Sequence, residues 1–430
     1  MSLTALCLIA YLACLASAVR ASDPLAAISS SAPLGGINIG SGSSSAEADS
    51  DIAQARTLGA KVVRTEVSWT EAEPNGAGQV NSGALVFLDR LMSDASNSSI
   101  RVILLTLSTP CWASSAPQSL LAQCLSGKES QANAWPPSEP QAFAAFTAFL
   151  AQRYGQQLAA IEIWNEPDQA NEDYLAGPDK AQHYAAMLRA AYPAIKQVNP
   201  GLPVLAGSLV GSNGAFLREL YAAGIKGYYD GLAVHFYNLT LGSLRAIHET
   251  QLANGDSTPL WLDEFGWSSC YPRHKTQQEQ ACVTTQIQAQ NIANTYRALA
   301  HTPYIAAVVP YALHSSSSED FGVLTTGGAR KPSFKALAGV LASPFGRVSP
   351  VTLKLSSRGG KIIASGSGPV GDYMRLEAFT GRVLRYKALF ILNRFNRYSI
   401  SLPRALGTHG VKVRVFQYWA GAARGAQRSI

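Results

Sequence analysis

The sequence predicts an α/β protein: a (β/α)8 TIM barrel followed by a small, sandwich-like C-terminal antiparallel β domain. Three observations predict it. Between residues 35 and 342, eight short apolar, β-branched runs alternate with segments of helical periodicity, as parallel strands joined by helical crossovers require. The first run, Gly36-Ile37-Asn38-Ile39-Gly40-Ser41, lacks the glycine fingerprint of an open dinucleotide-binding sheet, which is the competing arrangement. Beyond Val351 the pattern changes to short alternating runs separated by Gly, Pro and Asn, the mark of antiparallel strands.

Composition agrees. Of 430 residues, 47% are hydrophobic and 15% charged, which excludes a disordered chain and supplies a large core. The 36 Gly and 22 Pro follow no period, which excludes collagen and low-complexity classes. After the N-terminus no apolar run reaches the roughly 18 residues that span a bilayer.

The elements follow in order. Residues 1–21 read as a secretory signal: an apolar stretch from Ala5 to Ala18, then small residues offering cleavage after Ala18 or Ala21. Met1 to Thr4 carry no Lys or Arg, so an uncleaved anchor is the alternative. The expected location is secreted or extracytoplasmic. Residues 22–34 form a Ser/Ala-rich linker. Residues 35–342 form the barrel, with strands at Gly36–Gly40, Lys61–Ser68, Ile100–Leu107, Ala160–Asn165, Pro203–Ser208, Gly231–Tyr237, Pro259–Phe265 and Ile305–Tyr311. Helical periodicity marks Gln141–Tyr154, Asp179–Val198, Thr276–Ala300 and Pro332–Leu341, the third opened by a Thr276/Glu279 capping box. Residues 346–430 form the β domain. Its Gly366-Ser-Gly368-Pro-Val-Gly371 is a turn and not a phosphate cradle, because no helix pattern follows.

The net charge of +7 is segregated. Residues 346–430 hold 15 Lys or Arg and two acids, Asp372 and Glu377. A basic domain of this kind suits an acidic polymer or a cell surface, or is simply a solvated basic face. No nucleic-acid motif accompanies it. Beyond the leader, Cys111, Cys124, Cys270 and Cys282 fall into two local pairs. Local disulfides, 111–124 and 270–282, are the simplest of three connectivities. Zinc ligation is the alternative, though neither pair has C-x-x-C spacing.

The chemistry concentrates at two strand ends. The fourth strand runs into Trp164-Asn165-Glu166-Pro167, and the seventh into Asp263-Glu264-Phe265-Gly266-Trp267. Strands four and seven oppose one another in a ring of eight, so both glutamates can face one cleft. Two carboxyls across a cleft can break a glycosidic bond, one protonating the leaving oxygen and the other attacking the anomeric carbon or activating water. The metal-binding His-x-His and His-Glu-x-x-His patterns and the Gly-x-Ser-x-Gly elbow are missing.

These residues resemble clan A of the glycoside hydrolases, with features of families thirty-nine and five. The resemblance rests on Asn165-Glu166-Pro167 and Glu264, on Arg64 with Thr65-Glu66-Val67-Ser68-Trp69 and Glu73-Pro74, on Thr109-Pro110-Cys111-Trp112, on His235-Phe236-Tyr237, and on Phe321-Gly322-Val323-Leu324 with Lys331-Pro332. It implies a retaining mechanism with Glu166 as acid/base and Glu264 as nucleophile, their carboxyls about 5–5.5 Å apart. Arg64 and Tyr237 would support Glu264, Asn165 would bind the sugar 2-hydroxyl, and His235 would bind sugar or orient the carboxyls. Trp69, Trp112 and Trp267 are candidate sugar platforms, Trp267 being the most exposed of them. His314 would reach the cleft. Family members often carry Trp at the end of strand eight, where this chain has Val308-Val309-Pro310-Tyr311-Ala312-Leu313-His314. The expected partner is an oligo- or polysaccharide, with no cofactor or metal, on a monomer. The alternatives are a non-catalytic carbohydrate-binding or cell-wall barrel, and a transglycosylase on the same site.

Overall fold

The computed structural model describes residues 32–128, 130–237, 240–274, 282–420 and 425–430. The leader, most of the linker and the Thr276/Glu279 pair lie outside them. Eight parallel strands close into a barrel in sequence order. They are β1 (Leu34–Asn38), β2 (Val62–Ser68), β3 (Arg101–Leu107), β4 (Leu158–Ile163), β5 (Val204–Leu209), β6 (Gly231–His235), β7 (Leu260–Glu264) and β8 (Ile305–Val308). Pairing of β1 with both β2 and β8 closes the ring.

Among the described residues ten α-helices accompany the strands: α1 (Ser45–Leu58), α2 (Trp69–Ala72), α3 (Val86–Asn97), α4 (Gln118–Leu125), α5 (Pro140–Tyr154), α6 (Lys180–Val198), α7 (Ala215–Ala222), α8 (Thr240–Ala253), α9 (Thr285–Leu299) and α10 (Pro332–Ala342). Their ends follow local chemistry. Ser44 and Glu47 form a full capping box on α1, and Gly59 at φ 78° ends it. Proline opens α5 and α10, where its missing N–H costs nothing. The helix placed from Thr276 begins instead at Thr285. The hydroxyl of Thr284 accepts from the Ile287 amide and sets that start.

Strands β4 and β5 are buried at all six positions, as parallel strands covered on both faces are. Val62, Ile103, Ala160, Leu205, Ala233, Trp261 and Ala307 form a separate apolar layer, the filling of the barrel. Side chains alternate along a strand, so the residue two further on points the same way. That rule places Arg64, Glu162, His235 and Asp263 in the next layer, toward the strands' C-terminal ends. All four are buried. This layer is polar.

Beyond the barrel, β9 (Lys354–Arg358), β10 (Lys361–Ser367) and β13 (Arg397–Ser401) form one antiparallel sheet. A second has the order β12 (Val383–Ile391), β11 (Tyr373–Thr380), β14 (Val411–Gln417) and β15 (Ala426–Ser429). Their inner faces share a core around Ile362, Met374, Leu376, Val413 and Val415. Strand β15 has no apolar pattern and is a strand because it pairs with β14. The two local cysteine pairs are disulfides, with Cα separations of 5.7 and 5.3 Å. Among the described residues no helix is long and apolar enough to cross a membrane.

The β region is pinned to the barrel by a buried acid. Asp372 Oδ2 accepts from the Leu241 and Gly242 amides at 2.8 and 3.3 Å, in the first turn of α8, where a carboxylate complements unpaired N–H groups. Burial outweighs those bonds and raises the carboxyl to about 7. The folded state therefore holds a proton that the unfolded state releases near pH 4, so this group's contribution to stability falls as pH rises from about 4 to about 7. The thermal midpoint of the wild type minus that of Asp372→Asn is expected to shrink between pH 5 and pH 8, by an amount equivalent to at most roughly 4 kcal/mol. A difference that stays flat or grows with pH would overturn this assignment.

Candidate active site

Glu166 lies three residues beyond β4, and Glu264 is the last residue of β7. The chain turns sharply after β4, with Trp164 and Glu166 at φ 68° and 41°. Left-handed backbone costs a non-glycine residue about 1–2 kcal/mol. Packing and hydrogen bonds hold it here: Trp164 is fully buried, its amide donates to Thr106 O at 2.9 Å, and its indole donates to Tyr174 O at 2.9 Å. Strain of this kind, where the surroundings enforce it, aims a functional side chain.

His235, at the end of β6, joins the two glutamates. Its Nδ1 lies 2.8 Å from Glu166 Oε1 and 2.8 Å from Glu264 Oε2. One oxygen of each glutamate and one ring nitrogen all lie within 4.8 Å of one another. The side chains of Glu166 and Glu264 are 10% and 12% exposed, so each is enclosed but still reachable. Gln169 donates to Glu166 Oε2 at 2.5 Å. Asn38, at the end of β1, donates to Glu264 Oε1 at 3.3 Å, and the Tyr237 hydroxyl also bonds Glu264.

The polar layer beneath fixes the charges. Arg64 donates to Glu162 through Nε at 2.8 Å and Nη2 at 3.0 Å, and to Asn165 Oδ1 at 3.2 Å. Its Nη1 is 3.7 Å from Glu264, so its main partner is Glu162 and its support of Glu264 is at longer range. Burial alone would discharge Arg64, but Glu162, Asp263 and Glu264 keep its affinity for the proton well above normal. Burial would likewise raise Glu162 and Glu264. Arg64 holds the first below the ordinary range; His235, then Arg64 and Tyr237, do the same for the second. Burial would lower His235, yet the charge of Glu264 and the bonds to both glutamates lift it to about 10. Asp263 is pushed up by burial and by Glu162 beside it, and its Oδ1 lies 3.5 Å from His235 Nε2.

Two triads, Glu162–His235–Asp263 and Glu166–His235–Glu264, have the spacing of metal ligands. The Arg64 guanidinium already contacts carboxylates of both and supplies the positive charge a metal would bring. The donor set reads as an ion-pair network.

Other expected site residues lie elsewhere. Trp69 and Trp267 are 0% and 1% exposed, so neither can stack on a sugar. Trp69 packs on Phe143 and Phe146, and Trp267 lies edge-on to Phe265. Both lie near strand ends, but Trp69 points at α5 and the Trp267 indole lies near Gly371 of the β region. Trp112 keeps partial exposure, with its indole donating to Glu73 O at 2.8 Å. His314 turns outward, its Nε2 2.8 Å from Asp51 on α1, and among the described residues no hydrogen bond or ion pair joins it to the carboxylate cluster.

Four residues escaped the sequence reading. Asn38 and Gln169 are ordinary polar residues beside strand ends. Asp263 directly precedes Glu264, and no spacing of its own marks it in the sequence. Tyr311 stands beyond β8, partly exposed, with its ring 6.3 Å from Tyr237 and 6.0 Å from Phe321. Burial raises its hydroxyl, with the charge of Glu264 among the further causes. The available signal was the segment Val308 to His314 itself, which has no Trp and carries Tyr311.

Known proteins share this architecture. A family 39 glycoside hydrolase from the gut symbiont Bacteroides cellulosilyticus WH2 aligns over 86% of this chain and 81% of its own, at 17% identity and TM-score 0.55. A family 39 enzyme from Xanthomonas axonopodis pv. citri aligns over 88% and 94%, at 15% identity and TM-score 0.54. A family 5 subfamily 18 protein from Streptomyces cattleya, solved with GlcNAc, aligns over 75% and 83%, at 18% identity and TM-score 0.53. Identities this low speak for the fold alone. No curated protein matches the chain. Residues 26–301 match the cellulase family, a span that contains Asn165, Glu166, His235 and Glu264. A barrel closed in sequence order, with those residues at the ends of its fourth, sixth and seventh strands, is a glycosidase, and the chain belongs to the cellulase family, glycosyl hydrolase family 5.

Proposed function

We propose that the protein is an exported retaining glycosidase that cleaves O-glycosidic bonds of an oligo- or polysaccharide by double displacement. Glu264 is the nucleophile and Glu166 the acid/base. The observation that carries this is the approach of the two carboxyls to within 4.8 Å around one imidazole. Oxygens held within that limit fit the paired carboxyls of retaining enzymes, roughly 5–5.5 Å apart, and not the 6.5–9.5 Å that leaves room for an attacking water.

The first step needs a proton on Glu166 and none on Glu264. Asn38, Tyr237, Arg64 and His235 all offer protons or positive charge to Glu264, which favours its anion. A proton on His235 Nδ1 is one hydrogen bond from Glu166 Oε1, so the ring can supply Glu166 as the leaving oxygen arrives. Forming the glycosyl ester removes the charge of Glu264 and with it the largest influence that raises His235. The proton has by then passed from the ring through Glu166 to the leaving oxygen, so the ring is neutral and Glu166 is a carboxylate that can take a proton from the attacking water. Arg64 takes up the Asn165 carbonyl oxygen and leaves the amide N–H groups for the sugar 2-hydroxyl. Tyr311 and Trp112 provide the partly exposed rings on which a pyranose face can stack.

The stereochemistry of the first product tests the reading. Proton NMR of a digest in its first minutes should show the anomer of the substrate. Initial release of the opposite anomer would mean single displacement and would remove the nucleophile role from Glu264.

A further inference from the structure

We propose that the cleft between α8 and the outer face of the β12–β11–β14–β15 sheet is a second saccharide site, which takes a uronic-acid residue of an anionic polysaccharide. The cleft encloses about 550 Å3, within the range of about 300–1,000 Å3 usual for small-ligand sites. Asn213 and Ala246 line its barrel side, and Tyr373, Arg375, Lys387 and Tyr418 its sheet side.

Charge identifies the occupant. On the sheet's outer face Glu377 stands in register with Lys387 on β12 and with Arg414 on β14. Its two oxygens are taken by Arg375, at 2.9 Å, and by Arg414. Lys387 is exposed and has no carboxylate within ion-pair distance among the described residues. From residue 346 onward the only other acid is Asp372, which is buried against the first turn of α8. The region therefore has no further carboxylate to offer this face, which leaves Lys387 open to the anion of a ligand. Two tyrosines on the same wall, Tyr418 being 46% exposed, suit the apolar C–H face of a sugar ring. Asn213 offers an amide to its hydroxyls. A lone phosphate would leave the aromatic wall unused, whereas a uronate uses both.

Position supports a saccharide. Asn213 follows β5 and the first two turns of α8 follow β6, so this wall leaves the barrel at the same end as Glu166 and Glu264. A polysaccharide held here would lie along the rim of the catalytic mouth. The inference rests on the glycosidase reading for the class of ligand, but its test reads binding and not turnover.

The test uses the full chain carrying Glu264→Gln, so that no ligand is consumed. Titration calorimetry at 0.15 M salt would compare an oligogalacturonate, a neutral cello-oligosaccharide and a single-stranded oligonucleotide. Lys387→Glu and Tyr418→Ala, both at exposed side chains, are each expected to weaken oligogalacturonate binding at least tenfold and to leave the neutral oligosaccharide unaffected. The proposal fails if neither change weakens the uronide. It fails equally if only the charge change matters and binding vanishes at 0.3 M salt, which describes a diffuse basic face, or if the oligonucleotide binds more tightly through the same residues. Uronide binding of this pattern, together with a wild-type chain that hydrolyses no glycoside, would sustain the site and sink the catalytic reading.

Discussion

Glu264→Gln is expected to lower kcat by roughly four orders of magnitude, the scale seen when a covalent nucleophile is removed, with little change in substrate affinity. The amide keeps the shape of the side chain but has no anionic oxygen to attack the anomeric carbon. It also cannot accept on every side: Asn38 and Tyr237 both donate toward this group, and an amide has one acceptor oxygen. The substitution should also change His235. The charge of Glu264 is the largest influence raising that ring to about 10, so its titration, followed by NMR, should move down. Activity within tenfold of wild type would exclude Glu264 as nucleophile. Lost activity with an unmoved His235 would show that the coupling between the two groups is wrong.

The second large effect concerns Glu166. Glu166→Ala is expected to cost about 10²- to 10⁴-fold on natural glycosides, the usual contribution of a general acid. The loss should depend on the leaving group. An alkoxide needs the proton, whereas a dinitrophenolate departs without it. On the activated substrate glycosylation should stay close to normal and the glycosyl-enzyme should accumulate, because no base remains to activate water. Azide, which needs no base, should then restore turnover and give a glycosyl azide of the substrate's own anomeric configuration. Equal losses on both substrates, with no effect of azide, would argue that Glu166 only positions the sugar. Because His235 still contacts Glu264 in this variant, the nucleophile should remain ionised, which separates the two roles.

The proposed catalytic pair was legible because it sits in local sequence. Asn165-Glu166-Pro167 and Glu264 each follow a short apolar run, and the order of those runs marks strands four and seven without coordinates. Strand ends were less secure. The first, fourth, sixth, seventh and eighth runs extend past the strand ends, at Asn38, Ile163, His235, Glu264 and Val308, because apolar residues continue into the loops beyond. The tryptophans show a different limit. Trp69 and Trp267 lie next to strand ends, but a turn of the backbone sends each ring into the core, and no sequence pattern records that rotation.

The sequence by itself determined the barrel, the basic region behind it, the two local cysteine pairs and the two opposed glutamates, since each depends on composition, on a period of two or 3.6, or on short spacing. Only the tertiary structure decided which neighbours hold those glutamates. His235 lies 69 residues from Glu166, and Asn38 lies 226 from Glu264. Contacts at such range arise from closing the ring, where strand stagger and side-chain direction set distances that no local pattern encodes.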